Sequence, residues 1–226
     1  MRYTRRSSIW TLSLPLFAVL AGWGCSDDEG VLAPDGETGA VQAFMADEPE
    51  GEAVRTARSS EGAHDPQSVS AQGSYSGSLD ARAQVSISAD GETWVDLGSP
   101  TQASVDLQTT GGQSNLHGEV QVPADTYSHV RLVLEDARAN LDTGSTIGAI
   151  LVDLGLTIQL GTQGRVTIEK TVPAFQVSAE SRTDIHWNMN SDRWITEENA
   201  AEEIADEEEV AAAAEAEAET RAESQF

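Results

Sequence analysis

His129-Val130-Arg131-Leu132-Val133-Leu134-Glu135 places Val130, Leu132 and Leu134 at every second position, with His129, Arg131 and Glu135 alternating between apolar neighbours. In extended backbone successive side chains point to opposite faces. This spacing therefore puts branched apolar groups on one face and polar, charged groups on the other. Helical backbone would scatter the same residues around its axis. The stretch predicts a half-buried β-strand, and its pattern recurs on both sides.

Towards the C-terminus, Ile150, Val152, Leu154, Leu156, Ile158 and Leu160 lie on one side of a run, opposite Asp153, Thr157 and Gln159. Val166 and Ile168 face away from Arg165, Thr167 and Glu169, and Ile185, Trp187 and Met189 oppose Asp184, His186 and Asn188. Towards the N-terminus the same alternation places Val105 and Leu107, Val85 and Ile87, and Val41, Ala43 and Met45 on buried faces. Turn-forming residues separate the runs: Asp90-Gly91, Gly98-Ser99-Pro100, Gly111-Gly112, Pro123-Ala124-Asp125, Asp142-Thr143-Gly144 and Gly161-Thr162-Gln163-Gly164. No extended helical periodicity precedes residue 196. Short alternating strands joined by tight turns predict an all-β fold, an antiparallel β-sandwich of the immunoglobulin or transthyretin-like kind, over residues 38–195.

Charge divides the remainder. The 226 residues carry 38 Asp plus Glu against 13 Lys plus Arg, a formal net charge of −25. Residues 1–24 are basic, residues 38–195 are only moderately acidic apart from an insertion, and residues 25–37, 47–73 and 196–226 hold most of the excess. Residues 47–73 are rich in Glu, Ser, Gly and Ala and contain Pro49 and Pro66, a composition that buries too little apolar surface to offset its ordering entropy. They predict a mobile, disordered acidic insertion. Residues 196–226 combine Glu and Ala, both strong helix formers, with Thr196 as N-cap. Ile204 and Val210 are their only large apolar residues before Phe226, so this segment predicts a solvated acidic tail, partly helical. The acidic balance excludes nucleic acid, whose recognition needs a basic footprint.

The first 24 residues have the layout of an export signal. Arg2, Arg5 and Arg6 precede an apolar run from Ile9 to Leu20, and Gly22-Trp23-Gly24 leads to Cys25, the chain's single cysteine. This position is similar to the acylated residue of bacterial lipoprotein signals, and the acidic Ser26-Asp27-Asp28-Glu29-Gly30 that follows suits a solvated tether over residues 25–37. The reading expects membrane attachment through lipid on Cys25, at the outer membrane or cell surface in preference to the inner membrane. A cleaved signal that releases a soluble protein and an uncleaved amphipathic anchor are the alternatives.

Motifs that name a reaction are missing from the sequence. His64, His117, His129 and His186 form no zinc spacing, no G-x-S-x-G elbow occurs, and no phosphate-binding glycine pattern follows a strand, so no cofactor is expected. Asp90 with Glu92 and Asp96, or Asp27-Asp28-Glu29, leave divalent cations such as calcium possible. Trp94 and Trp187 fit strand patterns as core residues, while Trp194 follows the last strand and could offer a face to a glycan.

Three landmarks carry a family resemblance. Gly39-Ala40-Val41-Gln42-Ala43-Phe44-Met45-Ala46-Asp47-Glu48-Pro49 resembles a glycine-led opening strand that ends in Asp-x-Pro. Asp90-Gly91-Glu92-Thr93-Trp94-Val95-Asp96-Leu97 resembles a Gly turn followed by Trp and an aliphatic strand. Val122-Pro123-Ala124-Asp125-Thr126-Tyr127 entering Val130-Arg131-Leu132 is similar to a Pro-Ala-Gly-Thr-Tyr turn, with Asp125 in place of Gly. In this order they resemble the bacterial family of domain of unknown function 4382 over roughly residues 38–190. The resemblance implies exported, lipid-anchored β-sandwich proteins and no particular activity. Independently of kinship, Pro123 fixes the turn and Tyr127 suits a corner, its ring on the core and its hydroxyl on nearby backbone. Arg131, on the opposite face, either pairs with an acid on a neighbouring strand or stays exposed. The expected function is a non-catalytic binding or scaffold module at the cell envelope with an unknown glycan or protein ligand. A secreted hydrolase and a calcium-stabilised adhesion domain are the alternatives.

Overall fold

The computed structural model describes residues 36–48, 73–108, 112–179 and 181–222. In chain order these form β1 (Thr38–Ala46), β2 (Gly77–Ser88), β3 (Val95–Asp96), β4 (Thr101–Asp106), β5 (Gln113–Pro123) and β6 (Thr126–Leu141). The small hairpin β7 (Thr146–Ile147) and β8 (Ile150–Leu151) follows, then β9 (Leu156–Leu160), β10 (Val166–Gln176) and β11 (Ser181–Asn188). A 3₁₀ turn (Ser191–Arg193) leads to α1 (Glu197–Glu202), β12 (Ile204–Ala205), α2 (Glu207–Ala213) and β13 (Glu215–Ala222).

One sheet has the order β13-β11-β1-β5; the other is built on the long antiparallel pair β2–β6. Along the second edge of β6, β10 pairs with residues 126–134 and β9 with residues 138–141. Asp136, between these two stretches, adopts φ 53, a left-handed conformation that Asp tolerates. The bulge there lets one strand of 16 residues serve two neighbours. The alternation around Val130 therefore continues past Glu135 to Leu141.

The all-β sandwich is as the sequence predicts, with one difference in pairing. β1 runs parallel to β11, and β12 parallel to β9, so both sheets are mixed. β1 and β11 are joined through most of the domain, and no hairpin dictates their relative direction. Val130, Leu132 and Leu134, with Val85 and Ile87 of β2 and Val166 and Ile168 of β10, are fully buried. They share one core with Val41, Ala43 and Met45 of β1 and Ile185 and Trp187 of β11. Burying each such side chain contributes about 1.5–3 kcal/mol. The apolar run from Ile150 to Leu160 is not one strand. Gly155, at φ 84, turns the chain between β8 and β9 and leaves Leu154 96% exposed.

Asp47 departs most from expectation. Placed by composition in a mobile insertion, it is completely buried. Its carboxylate accepts hydrogen bonds from the Gln108 backbone N–H at 2.8 Å, the Ser191 backbone N–H at 2.7 Å and the Ser191 hydroxyl. The Ser191 Oγ lies 2.8 Å from the Tyr75 hydroxyl, which also accepts from Gln108 Nε2 at 2.9 Å. Burial pushes the Tyr75 phenol's pKa well above its ordinary value. Four chain segments, after β1, before β2, after β4 and after β11, meet in this hydrogen-bonded group. Residues 49–72 of the predicted insertion lie outside the described residues.

The C-terminal segment is likewise part of the domain, not a solvated tail. The described residues from Gly36 to Ala222 form one compact unit. Thr196 caps α1 as expected, accepting from the Asn199 N–H. Beyond it Ala205, Val210, Ala213 and Ala214 are buried, and β13 pairs along the full length of β11. Two features replace the missing apolar stripe. Small alanines let the backbone approach closely, and Glu side chains accept hydrogen bonds from neighbouring strands, turns and α1. Glu207 takes the Thr167 backbone N–H at 2.9 Å, Glu209 the Asn199 side-chain amide at 2.6 Å, and Glu197 the Ala149 N–H.

His117 of β5, 4% exposed, fills a gap on the edge of β2 between its partners β3 and β4. Its Nε2 accepts the Val85 backbone N–H at 3.3 Å, which requires the neutral ring, and burial pushes its pKa below the ordinary value.

Two predictions follow from these buried polar groups. Asp47→Ala strips three donors of their acceptor and is expected to cost about 3 kcal/mol or more in urea unfolding; a loss under about 1 kcal/mol would show that the knot is dispensable. For His117, the folded state holds a neutral ring, whereas the unfolded ring takes a proton below about pH 6.5. Its contribution is therefore full above that pH and declines as the pH falls towards the lowered folded value. Urea midpoints at about pH 7.5 and 5.5 should differ less in His117→Gln than in the parent, and equal differences would contradict the assignment.

Candidate functional site

Two of the three sequence landmarks meet in space. Trp94, expected in the core, is instead half-buried just ahead of β3, and the Arg131 guanidinium lies 4.3 Å from its ring centroid. Arg131 sits in a polar row that crosses four strands: Asp96 opposite Ser86, Ser86 opposite Arg131, Arg131 opposite Glu169. Ser86 donates to Asp96 at 2.6 Å, Arg131 reaches Ser86 at 3.4 Å, and Glu169 lies 3.8 Å from Arg131. The acid on a neighbouring strand is thus Glu169. The arrangement clamps the β2–β3 loop onto the outer face of the sheet, because a cation over an indole face gains about 0.5–2 kcal/mol as it is desolvated.

The third landmark is a corner. Tyr127, 3% exposed, donates its hydroxyl to the Pro123 carbonyl at 2.9 Å and stacks on Phe175, with ring centroids 5.9 Å apart. Burial and the nearby Asp125 charge both raise its pKa.

Other expected positions resolve differently. Trp194 offers no face to a glycan. It is fully buried, its indole N–H donating to the Met189 carbonyl at 3.0 Å, because α1 and α2 cover the turn that a solvated tail would have left open. Trp187 is core, as expected. Asp90 spends its carboxylate on its own turn, accepting from the Thr93 and Glu92 N–H groups at 2.8 and 2.9 Å and from the Ser88 hydroxyl. These bonds, the Thr93 N–H foremost, hold its pKa at about 2. Among the described residues no group of three or more His, Cys, Asp or Glu could hold a metal ion. Cys25, Asp27, Asp28, Glu29 and His64 lie outside the described residues, and no described helix is long and apolar enough to cross a membrane.

A groove of about 520 Å³ lies against the four-stranded sheet. Burial alternates along β1 and β11, so Phe44 and His186 share the face opposite Ala43 and Ile185. They are register partners, with rings stacked 5.2 Å apart and 13° from parallel. The next strand places Glu217 opposite His186 and Glu215 opposite Asn188, and Glu48 lines the same groove. Farther along this face Asp184, 2% exposed, is held by Arg182 at 3.0 Å and Arg221 at 3.4 Å. The result is an open surface with an aromatic pair, amide and carboxylate acceptors, and a firmly braced floor.

Sequence alternation placed Phe44 and His186 on solvent-facing sides of their strands, and an aromatic ring on such a side is itself a signal. Nothing local, however, revealed that two strands so far apart in sequence pair in parallel and bring the rings together.

The corner generates a direct prediction. Tyr127→Phe removes one buried donor and should cost about 1 kcal/mol of unfolding free energy, read from the urea midpoint at unchanged slope; no shift would refute the bond's contribution. Against known proteins, the family model described as Domain of unknown function (DUF4382) matches residues 60–204. That span contains the Trp94 and Pro123–Arg131 landmarks, begins after the Gly39–Pro49 landmark and extends through α1. No curated protein and no solved structure matches the chain. With well over half its length matched, the chain belongs to the DUF4382 family.

Proposed function

We propose that this protein is an exported, lipid-anchored, non-catalytic binding module of the cell envelope, attached through Cys25. The groove over Phe44 and His186 is the observation that carries the reading. It is open, it lies on a sheet face rather than in a reactive cleft, and its polar groups come from the end of β1 and from β11 and β13, strands whose mutual register is fixed by continuous pairing. Such a surface suits recognition, because a partner is met by prepositioned side chains with little ordering cost. The acidic tether after Cys25 supports the anchor by keeping the domain in solvent. A secreted hydrolase draws less support: among the described residues, Ser191, which donates its hydroxyl to Asp47, is completely buried and committed to the fold.

The reading is tested in cells in two steps. Cys25→Ser should abolish acyl labelling and shift the protein from the membrane to the soluble fraction; unchanged membrane association would overturn the anchor. A photo-crosslinking residue at position 217 should capture an envelope component that the same residue at Gln102, on β4 of the other sheet, does not. Equal capture from both positions would overturn the groove as the recognition surface.

A further inference from the structure

Resting on the groove over Phe44 and His186 as a recognition surface, we infer that its partner is a neutral, extended glycan chain lying across the sheet face. The occupant lies on the face because the edge is closed. β10 packs along β13, and Pro173 of β10 forms one wall of the groove. Gln113 of β5 lines it on the far side of β1. Its volume of about 520 Å³ lies within the roughly 300–1,000 Å³ of small-ligand sites, and it is open. It therefore takes a short stretch of a flat chain that continues beyond it.

An aromatic surface comes first. Phe44 lies on the face opposite the buried Ala43 and Met45, so the core does not account for its ring. Phe44 and His186 stack on one another, and each ring leaves its opposite face uncovered by its partner. A pyranose gathers its C–H groups on the sides of its ring and its hydroxyls around the rim. The C–H side is apolar and weakly positive, which suits the negative face of an aromatic ring.

Polar groups of the lining match the rim. Glu48, Gln113, Glu215, Glu217, Glu219 and Arg221 all end in planar groups that offer two neighbouring oxygens or nitrogens. Two adjacent hydroxyls of a sugar meet such a pair with two hydrogen bonds at once, the bidentate geometry that adds specificity as well as energy. Acceptors outnumber donors among these groups, so the ligand must be rich in donors, and a polyol supplies them. Their placement is preset. Asn188 accepts the Glu48 N–H at 2.9 Å and donates to the Glu48 carbonyl at 3.3 Å, while β13 holds its three glutamates in register with β11. Groups fixed in advance lower the ordering cost of binding.

Charge decides between a neutral glycan and its competitors. Four glutamates against one arginine in the lining repel a chain that carries uronic acids or phosphates. A cation is not required to balance them. Glu219 lies 3.6 Å from Arg221 and Glu215 lies 3.8 Å from Arg193, and both carboxylates stay exposed with lone pairs left for hydroxyl donors.

The test uses the full chain carrying Cys25→Ser in isothermal titrations. The probes are six-unit β-1,4-linked chains of glucose, mannose, xylose and N-acetylglucosamine, with a six-unit chain of galacturonic acid as the anionic comparison. At least one neutral chain should bind, with affinity unchanged up to about 1 M salt, where charges act over only about 3 Å. The anionic chain should not bind. Phe44→Leu, which keeps apolar bulk and removes the ring, and Glu217→Ala should each weaken the binding about tenfold. Gln102→Ala, on β4 of the other sheet, should leave it unchanged. Should Phe44→Leu lower the urea midpoint, Glu217→Ala on the solvent-facing side of β13 carries the comparison. The idea fails if no neutral chain binds, if the anionic chain binds as well, if salt abolishes the binding, or if both variants bind as the parent does. Should no chain bind while crosslinking from position 217 persists in cells, the glycan is overturned and the recognition surface stands; a crosslinked protein would then make a polypeptide the occupant.

Discussion

The buried carboxylate of Asp47 fixes where the rest of the molecule can lie. It joins the end of β1 to the turn after β11, and the same hydrogen-bonded group holds the entries to and exits from the opposite sheet. β1 and β11 lie far apart in sequence and run in parallel, so no tight turn sets their register. That register is locked where Met189 donates its N–H to the Ala46 carbonyl and Ser191 donates to Asp47. A slip of one residue would exchange the two faces of a strand, moving Phe44 or His186 into the core. The groove is therefore a consequence of the knot, though no groove residue belongs to it.

The sheet pattern was legible because it is local. Val130, Leu132 and Leu134, or Val85 and Ile87, announce their face through spacing alone, and the Pro123–Tyr127 corner follows from residues four apart. What lay beyond reach depended on partners distant in the chain. β5 escaped because Gly118 and a bulge opposite β1 interrupt its alternation, leaving Leu116 and His117 buried side by side. The Asp-x-Pro landmark marks Asp47, but its burial is not legible, because an acid beside a Glu-rich stretch has the composition of solvent-exposed chain and only Ser191 and Gln108 make it an internal acceptor. Trp94 was assigned to the core because a Trp beside a strand usually packs inward; Arg131, reached across two strands, holds it on the outside.

The C-terminal segment shows how composition can mislead in both directions. Glu and Ala favour helix, and two short helices do form, yet the stretch of strictly alternating Glu and Ala becomes a strand. Period overrides propensity there because β11 offers a complete hydrogen-bonding edge, and the alternating methyl groups of Ala216 and Ala218 pack against the core. The glutamates meanwhile meet needs inside the fold. Glu207 and Glu197 cap backbone N–H groups at strand ends that would otherwise face solvent unpaired. Acidity that looked like a property of extensions is partly a structural material of the sandwich.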